Sequence, residues 1–439
     1  MTFSPGFKRF LLILIPLYGL IGVKPIIQSF APSAVYRKDF ISPYLMAKAI
    51  QSDVNPYLPL PELAARWLPD LPHGIFPHPT PHTPALGLLS LPLAPLDYRT
   101  AALIWLLCQV GCLVACVALL QRWWGAPPRA GLTVGAACMI LNWPPVVEDL
   151  WLGQINLLLL VLLLLAWLAL REGKEILGGA MLGSLLALKL MAWPLLIFLA
   201  LRRRWRGVAM AGAVMIATHL AAIAALGFGC VRDYYLKVGP LATSIYRAYD
   251  ANLSAWAFGW RLFANVNSPI STGIVAPGLA RWSMYAAPLA VLMLGLWLAL
   301  RAKQFDTAFG ALVCASLLVN PVAWTHYLVM GAIPMAIVAR RLWAAGFPKK
   351  LSLVAVALSI PTFSYLYIAR LFSTPEMTKQ DMVFHPVVGL LSLIIGLVTL
   401  GWMWLVWLTE RLESNQSASL KGASVKRGKE SGELSATVA

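Results

Sequence analysis

The sequence predicts an all-α polytopic membrane protein, and three observations carry that prediction. Hydrophobic residues make up 59% of the 439-residue chain and charged residues 12%, with a mean hydropathy of +0.73. A water-soluble domain keeps far more charge on its surface. Apolar runs of about 20 residues recur along the chain, the length a helix needs to cross a hydrocarbon core of about 30 Å. The Lys and Arg residues between these runs fall on alternate connections, as they do where cytoplasmic loops carry the positive charge.

Ten spans are expected near 9–29, 100–120, 130–147, 152–170, 207–228, 282–300, 305–322, 327–342, 351–371 and 386–408. With the segment 176–201 they make about eleven transmembrane helices. Lys8/Arg9, Arg122/Arg129, Arg171/Lys174, Arg202 to Arg206, Arg301/Lys303, Arg340/Arg341/Lys349/Lys350 and Arg411 then share one side. That side is assigned to the cytoplasm together with both termini. Lys8 and Arg9 precede an apolar run without a convincing small-residue cleavage site, so the first helix is expected to stay uncleaved. Residues 1–408 read as one membrane domain, and the Ser-, Gly- and Lys-rich tail 409–439 reads as disordered and cytoplasmic.

Segment 176–201 breaks the alternation, because Lys174 and Arg202 put basic groups at both its ends while Lys189 and Pro194 interrupt its middle. It is expected to be a broken helix or hairpin that enters and returns, with Lys189 near its tip. Irregular backbone at depth requires a cavity or protein cover. Two outer loops are long, about 30–99 and 229–281. No internal repeat is evident, which argues against a transporter built from two similar halves.

The net charge of +17 (35 Lys+Arg against 18 Asp+Glu) is read as loop charge with some attraction to anionic lipid heads, and no nucleic-acid partner is expected. Cys108, Cys112 and Cys116 stripe one face of an apolar helix, and the six cysteines suggest no disulfide framework.

Polar residues expected on the outer side come from segments far apart: Asp39, His78, His82, Glu148, Asp149, Gln154, Asn156, Lys189, Asn252, Asn320 and His326. Such a set can assemble an active site at the membrane surface. Asp39 suits a general base that takes a proton from a sugar hydroxyl, or a solvated loop acid paired with Arg37 or Lys38. Lys189 suits a phosphate, because charge inside a span is costly and tends to be functional; otherwise it snorkels or pairs with an internal acid. His326, in NPVAWTHYLV, suits a phosphate or a sugar hydroxyl, or is structural. Gln154 and Asn156 suit hydroxyls, or join helices. Asn252 and Ser254 line a pocket or cap a helix. His78 and His82 make a poor zinc pair, since Pro breaks the helix and no third ligand is evident. No metal, cofactor or nucleotide is expected, because no Gly-rich phosphate loop or nucleotide fingerprint occurs.

These residues resemble glycosyltransferase family 87, a GT-C membrane family that includes polyprenol-phosphate-mannose-dependent α-1,2-mannosyltransferases. The resemblance runs from the first span to about residue 340. It rests on the Asp39-Phe40 loop with Tyr44, Ala47 and Asn55-Pro56-Tyr57, then on FPHPTPHTPALGLLSLPL, LGQINLLLLVLLLLA, LGGAMLGSLLALKLMAWPLL, NLSAW and NPVAWTHYLV in order. It implies a GT-C fold and a polyprenyl-phosphate-hexose donor, with Asp39 as base, His326 near the donor and Lys189 at the phosphate. It implies inverting transfer to a glycan or glycolipid acceptor met by Asn252, Tyr44 and His82. His78-Pro79-Thr80-Pro81-His82 stands where the family commonly has Tyr-Pro-Pro, and Asn252-Leu253-Ser254 where it often has Asn-Gln-Ser. Those departures bear on the acceptor and leave the mannose and the α-1,2 linkage less fixed than the reaction. The alternative from another class is a lipid or sugar transporter or flippase, which should show repeat symmetry and intramembrane carboxylates.

Overall fold

The computed structural model describes residues 18–32, 34–71, 75–125, 130–247, 249–264, 271, 273–371 and 386–436. The start of the expected first span and its Lys8 and Arg9 lie outside these residues, as does Arg129. Among the described residues the fold is helical, with one isolated bridge between Pro59 and Pro79. Five helical stretches are long and apolar enough to cross a membrane: Tyr98–Trp124, Trp205–Leu226, Pro277–Arg301, Thr325–Ala344 and Val387–Leu412. Shorter apolar helices, among them Asn156–Arg171, Glu175–Leu188 and Phe305–Val319, pack between them.

Helix α1 (Ile41–Gln51) begins two residues after Asp39, with Phe40 at its N-cap, and α2 (Leu60–Trp67) and α3 (Pro84–Ser90) complete the first outer loop. Next come α4 (Tyr98–Trp124), α5 (Ala130–Ile140), α6 (Pro144–Leu152) and α7 (Asn156–Arg171). Asn142-Trp143-Pro144-Pro145 divides the expected span 130–147 into two helices, since proline supplies no backbone donor and fits the first turn of the second helix. Gly153, at φ +69°, ends α6, and three residues later α7 begins.

The segment 176–201 is a hairpin. It comprises α8 (Glu175–Leu188) and α9 (Trp193–Leu201), with Lys189 extended between them at φ −159° and ψ 118°. Helix α10 (Trp205–Leu226) follows. The start of α8 lies against the start of α10: a Cβ on Gly207 would sit 3.3 Å from the Glu175 carbonyl. Arg204, just past α9, donates from Nη1 to the Leu170 carbonyl at 2.6 Å. The segment therefore leaves and returns on one face. It packs through small residues that let backbones approach closely. A Cβ on Gly179 would meet the Gly207 carbonyl oxygen at 2.2 Å, and one on Gly183 the Ala211 oxygen at 2.6 Å.

The remaining long helices are α11 (Pro277–Arg301), α12 (Phe305–Val319), α13 (Ala332–Ala344), α14 (Lys349–Leu371) and α15 (Pro386–Ala436); the apolar span of α15 is Val387–Leu412, and the helix runs on to Ala436 through the tail that the sequence predicts to be disordered. Arginines stitch the face remote from Asp39. Arg202 donates to the Ala299 and Ala302 carbonyls at 3.2 Å each. Buried Arg341 reaches the Val406 carbonyl, Gln304 and Thr307. The Arg202 contacts satisfy carbonyls left open at the C-terminus of α11.

A side chain on Gly179 has nowhere to go, so Gly179→Leu should destabilise the protein by about 1–3 kcal/mol, read as a lower thermal midpoint in detergent. Gly212→Ala, inside α10 with open space around it, should not lower the midpoint and should stabilise by up to about 1 kcal/mol through helix propensity.

Candidate active site

The site is built around the turn Gly153-Gln154-Ile155-Asn156. Phe40 packs on Gly153 so closely that a Cβ there would lie 2.8 Å from the Phe40 Cβ. The Phe40 amide donates to the Leu152 carbonyl at 3.2 Å, and Trp105 Nε1 donates to the Gly153 carbonyl at 2.9 Å. Lys38 fastens the same junction. Its Nζ donates to Ser29 Oγ at 2.6 Å and to the Trp151 carbonyl at 2.7 Å, and burial lowers its pKa to about 8. The neighbouring cation is thus committed to backbone and hydroxyl oxygens of the scaffold.

Asp39 lies where the first outer loop meets this turn, and its Oδ2 accepts from Gln154 Nε2 at 2.8 Å. Asp39, Pro43, His82, Leu86, Trp105 and Gln154 line one crevice. Two residues on, Asn156 works in the other direction. Its Nδ2 donates to Asp149 Oδ1 at 2.6 Å and its Oδ1 accepts from Lys189 Nζ at 3.2 Å. The second Asp149 oxygen accepts from the Leu157 amide at 3.2 Å, capping the start of α7. The Lys189 ammonium also lies over the Tyr327 ring, 3.7 Å from its centroid. Thr83 Oγ1 donates to the Leu188 carbonyl at 3.0 Å, which brings the His82 loop to the hairpin tip.

His326 sits on the 3-10 stretch Thr325–Gly331. It is buried, and neither ring nitrogen has a hydrogen-bond partner among the described residues. Its Nδ1 is 3.8 Å from Glu148 Oε1. The other Glu148 oxygen accepts from Tyr365 at 2.6 Å and from Thr325. Buried polar atoms are normally paired, so an orphaned imidazole beside a carboxylate is ready for an incoming anion or hydroxyl.

Of the residues expected at the site, Asp39, His82, Gln154, Asn156, Lys189 and His326 converge. Asn252 does not join them. Its Nδ2 donates to the Arg247 and Pro321 carbonyls, and its Oδ1 accepts from the Ser254 and Ala323 amides. Both ends of the amide are spent in fastening the second outer loop. Asn320 likewise donates to the Val322 carbonyl. Tyr44 donates its hydroxyl to the Leu96 carbonyl at 2.8 Å. His78 bonds Tyr246 at 2.5 Å through Nε2, away from His82. Sequence reasoning placed Glu148 and Asp149 on the outer side without a role, although two adjacent acids in a chain with 18 in all were a usable signal. Tyr327 gave no signal beyond its place next to His326.

A model of glycosyltransferase family 87 matches residues 81–323, more than half of the sequence. The chain belongs to glycosyltransferase family 87. The match covers His82, Gln154, Asn156 and Lys189, whereas Asp39 and His326 lie outside it and are placed by the geometry above. The chain is also similar to the polyprenol-phosphate-mannose-dependent alpha-(1-2)-phosphatidylinositol pentamannoside mannosyltransferase of Mycolicibacterium smegmatis. The two are 24% identical over 263 residues, covering 58% of this chain and 59% of that relative. The chain thus spans about three-fifths of the relative's length. No solved structure matches.

Two predictions follow from the surroundings of the histidines. Burial, then the Lys189 charge, push the His82 imidazole down from 6.5 to about 4, against the opposing pull of Asp39. Between those values the unfolded chain binds a proton that the folded chain excludes, so stability falls as the pH drops through that window. His82→Gln should remove up to about 3 kcal/mol of that loss, seen as a flatter dependence of thermal midpoint on pH between 7 and 4. Glu148→Gln takes the charge from beside His326 and should lower kcat/KM for sugar transfer about tenfold, with the thermal midpoint little changed.

Proposed function

We propose that this membrane protein is an inverting hexosyltransferase, moving mannose from polyprenyl-phosphate-mannose to a hydroxyl of a glycan or glycolipid. The observation that carries the proposal is the pair of amides two residues apart. Gln154 holds Asp39 and Asn156 holds Lys189, so one turn of backbone fixes an acid and a cation at a set separation. The acid suits the attacking hydroxyl and the cation suits the phosphate of a sugar-phosphate donor.

In this reading the acceptor hydroxyl approaches Asp39, which takes its proton as the oxygen attacks the anomeric carbon. The bond from that carbon to the phosphate oxygen breaks, and its electron pair leaves on polyprenyl phosphate. Attack from the face opposite the leaving group inverts the anomeric configuration. Positioned proton transfer of this kind typically contributes about 10²–10⁴ in rate. Lys189 and His326 meet the negative charge that builds on the phosphate, where fixed charge in a dry site is most effective. His82 closes the crevice beside Asp39 and remains neutral near pH 7, so it does not compete for the proton. No step is routed through a metal ion or a nucleotide.

The orientation proposed puts this site on the extracytoplasmic face and both termini in the cytoplasm. Arg202, Arg204 and Arg341 gather at the remote face, and cytoplasmic loops carry such an excess of positive charge. The relative's printed donor, polyprenol-phosphate-mannose, supports mannose as the sugar.

The test is transfer in membranes supplied separately with radiolabelled polyprenyl-phosphate-mannose and with GDP-mannose. The lipid donor alone should support transfer, and Asp39→Asn should lower it by about 10²–10⁴. Transfer that survives this substitution would remove Asp39 as the base.

A further inference from the structure

Helix α14 has no task in the proposed chemistry, yet it is wired into the site. Helix α13 leaves the 3-10 stretch of His326 for the face remote from Asp39, and α14 returns from there. On the return, Phe363 stacks on Trp143 at 6.0 Å and 29°. Two residues on, Tyr365 donates its hydroxyl to Glu148 Oε2 at 2.6 Å. Pro361 interrupts the backbone ladder of α14 one turn earlier.

Tyr365 is buried, and a buried phenol needs a partner for its O–H. Phenylalanine would fill the same space in an apolar helix without that need, so tyrosine here serves to bring a hydroxyl to one atom. The bond has the length of a hydroxyl on an ionised carboxylate. Thr325 donates to the same oxygen. Two donors from separate segments thus engage Glu148 Oε2 and fix the plane of the carboxylate. Its Oε1 then faces His326 Nδ1 at 3.8 Å, an ion-pair contact just beyond hydrogen-bond length. Tyr327 meets the imidazole edge-on, at 5.0 Å and 67°, and carries the Lys189 ammonium over its face. One ring therefore spaces the histidine from the lysine.

Which nitrogen of an imidazole carries the proton is set by what the other nitrogen meets. An acceptor beside Nδ1 keeps the proton there and frees Nε2, which is buried and without a hydrogen-bond partner among the described residues. When a phosphate oxygen meets a doubly protonated ring, the phosphate takes one N–H and the carboxylate the other.

We propose that Tyr365 is a positioning residue for transfer. Through Glu148 it sets the orientation and tautomer of His326, so that Nε2 is the nitrogen presented to the substrate phosphate. This rests on the glycosyltransfer reading above. It extends the site by a helix that touches neither Asp39 nor Lys189.

The experiment is a double-mutant cycle on the full chain in nanodiscs, with polyprenyl-phosphate-mannose as donor. Tyr365→Phe keeps the ring and removes the hydroxyl. It should lower kcat about tenfold, the effect of losing one hydrogen bond to a charged group, with KM for the donor little changed. In a His326→Gln background the same substitution should cost nothing further, because the group it acts through is gone. A ring that only fills space would give equal losses, or none, in both backgrounds, and either result would overturn the proposal. NMR spectra of isotope-labelled histidine supply a readout that needs no turnover. The His326 signal, identified by its loss in His326→Gln, should report a proton on Nδ1 in wild type and a mixture of tautomers in Tyr365→Phe. An unchanged tautomer would overturn the proposal even where kcat falls. No transfer in wild type, with the tautomer change intact, would instead remove the transferase reading and leave Tyr365 orienting His326.

Discussion

The site depends on one backbone reversal, the turn at Gly153. Its left-handed φ of +69° and the 2.8 Å clearance to Phe40 admit no side chain, and glycine alone adopts that conformation without a steric cost. The turn lets α6 stop and α7 start within four residues. It presents Gln154 toward the first outer loop and Asn156 toward the hairpin tip. Trp105 and Gln109 on α4 hold the carbonyls of Gly153 and Gln154 from behind, so the two amides have a rigid backing. Lys38 and Phe40 then bring Asp39 to that backing.

Breaks in the helices position the polar groups elsewhere too. Backbone inside a bilayer must satisfy itself, and irregular stretches survive only under protein cover. The hairpin tip at Lys189 is covered by α7, by the Tyr327 ring and by the Thr83 contact to Leu188. The 3-10 stretch carrying His326 is covered by α6 through Glu148. The second outer loop is tied down by Asn252 and Ser254, which both reach the Pro321 carbonyl. The apolar helices form the frame, and its interruptions deliver the chemistry.

Much of this was legible in the sequence. Hydropathy and loop charge announced the membrane class, and basic residues at both ends of 176–201 announced the hairpin. Asp39 and Lys189 stood out as charges in an apolar chain. The pairing of Gln154 with Asp39 and Asn156 with Lys189 was not legible, because it joins residues 115 and 33 positions apart through a turn whose geometry no local pattern encodes. Asn252 looked like a ligand contact for a related reason. Its sequence neighbourhood is polar and loop-like, and only the fold shows that Pro321 and Ala323 come to meet it. The span near 130–147 was drawn too continuous, since the Pro144-Pro145 pair opens a separate helix, α6, within it.

Asp149 has a consequence for turnover. By accepting from the Leu157 amide it occupies the positive end of α7, the place where a helix would otherwise grip a phosphate. Glu148 and Asp39 add two more carboxylates to the same chamber. In the reaction proposed above, a sugar-phosphate diester would meet Lys189 and His326 beside three carboxylates. The phosphate left after transfer would carry one more negative charge than the donor did, so the same carboxylates would favour release of the spent carrier over its retention.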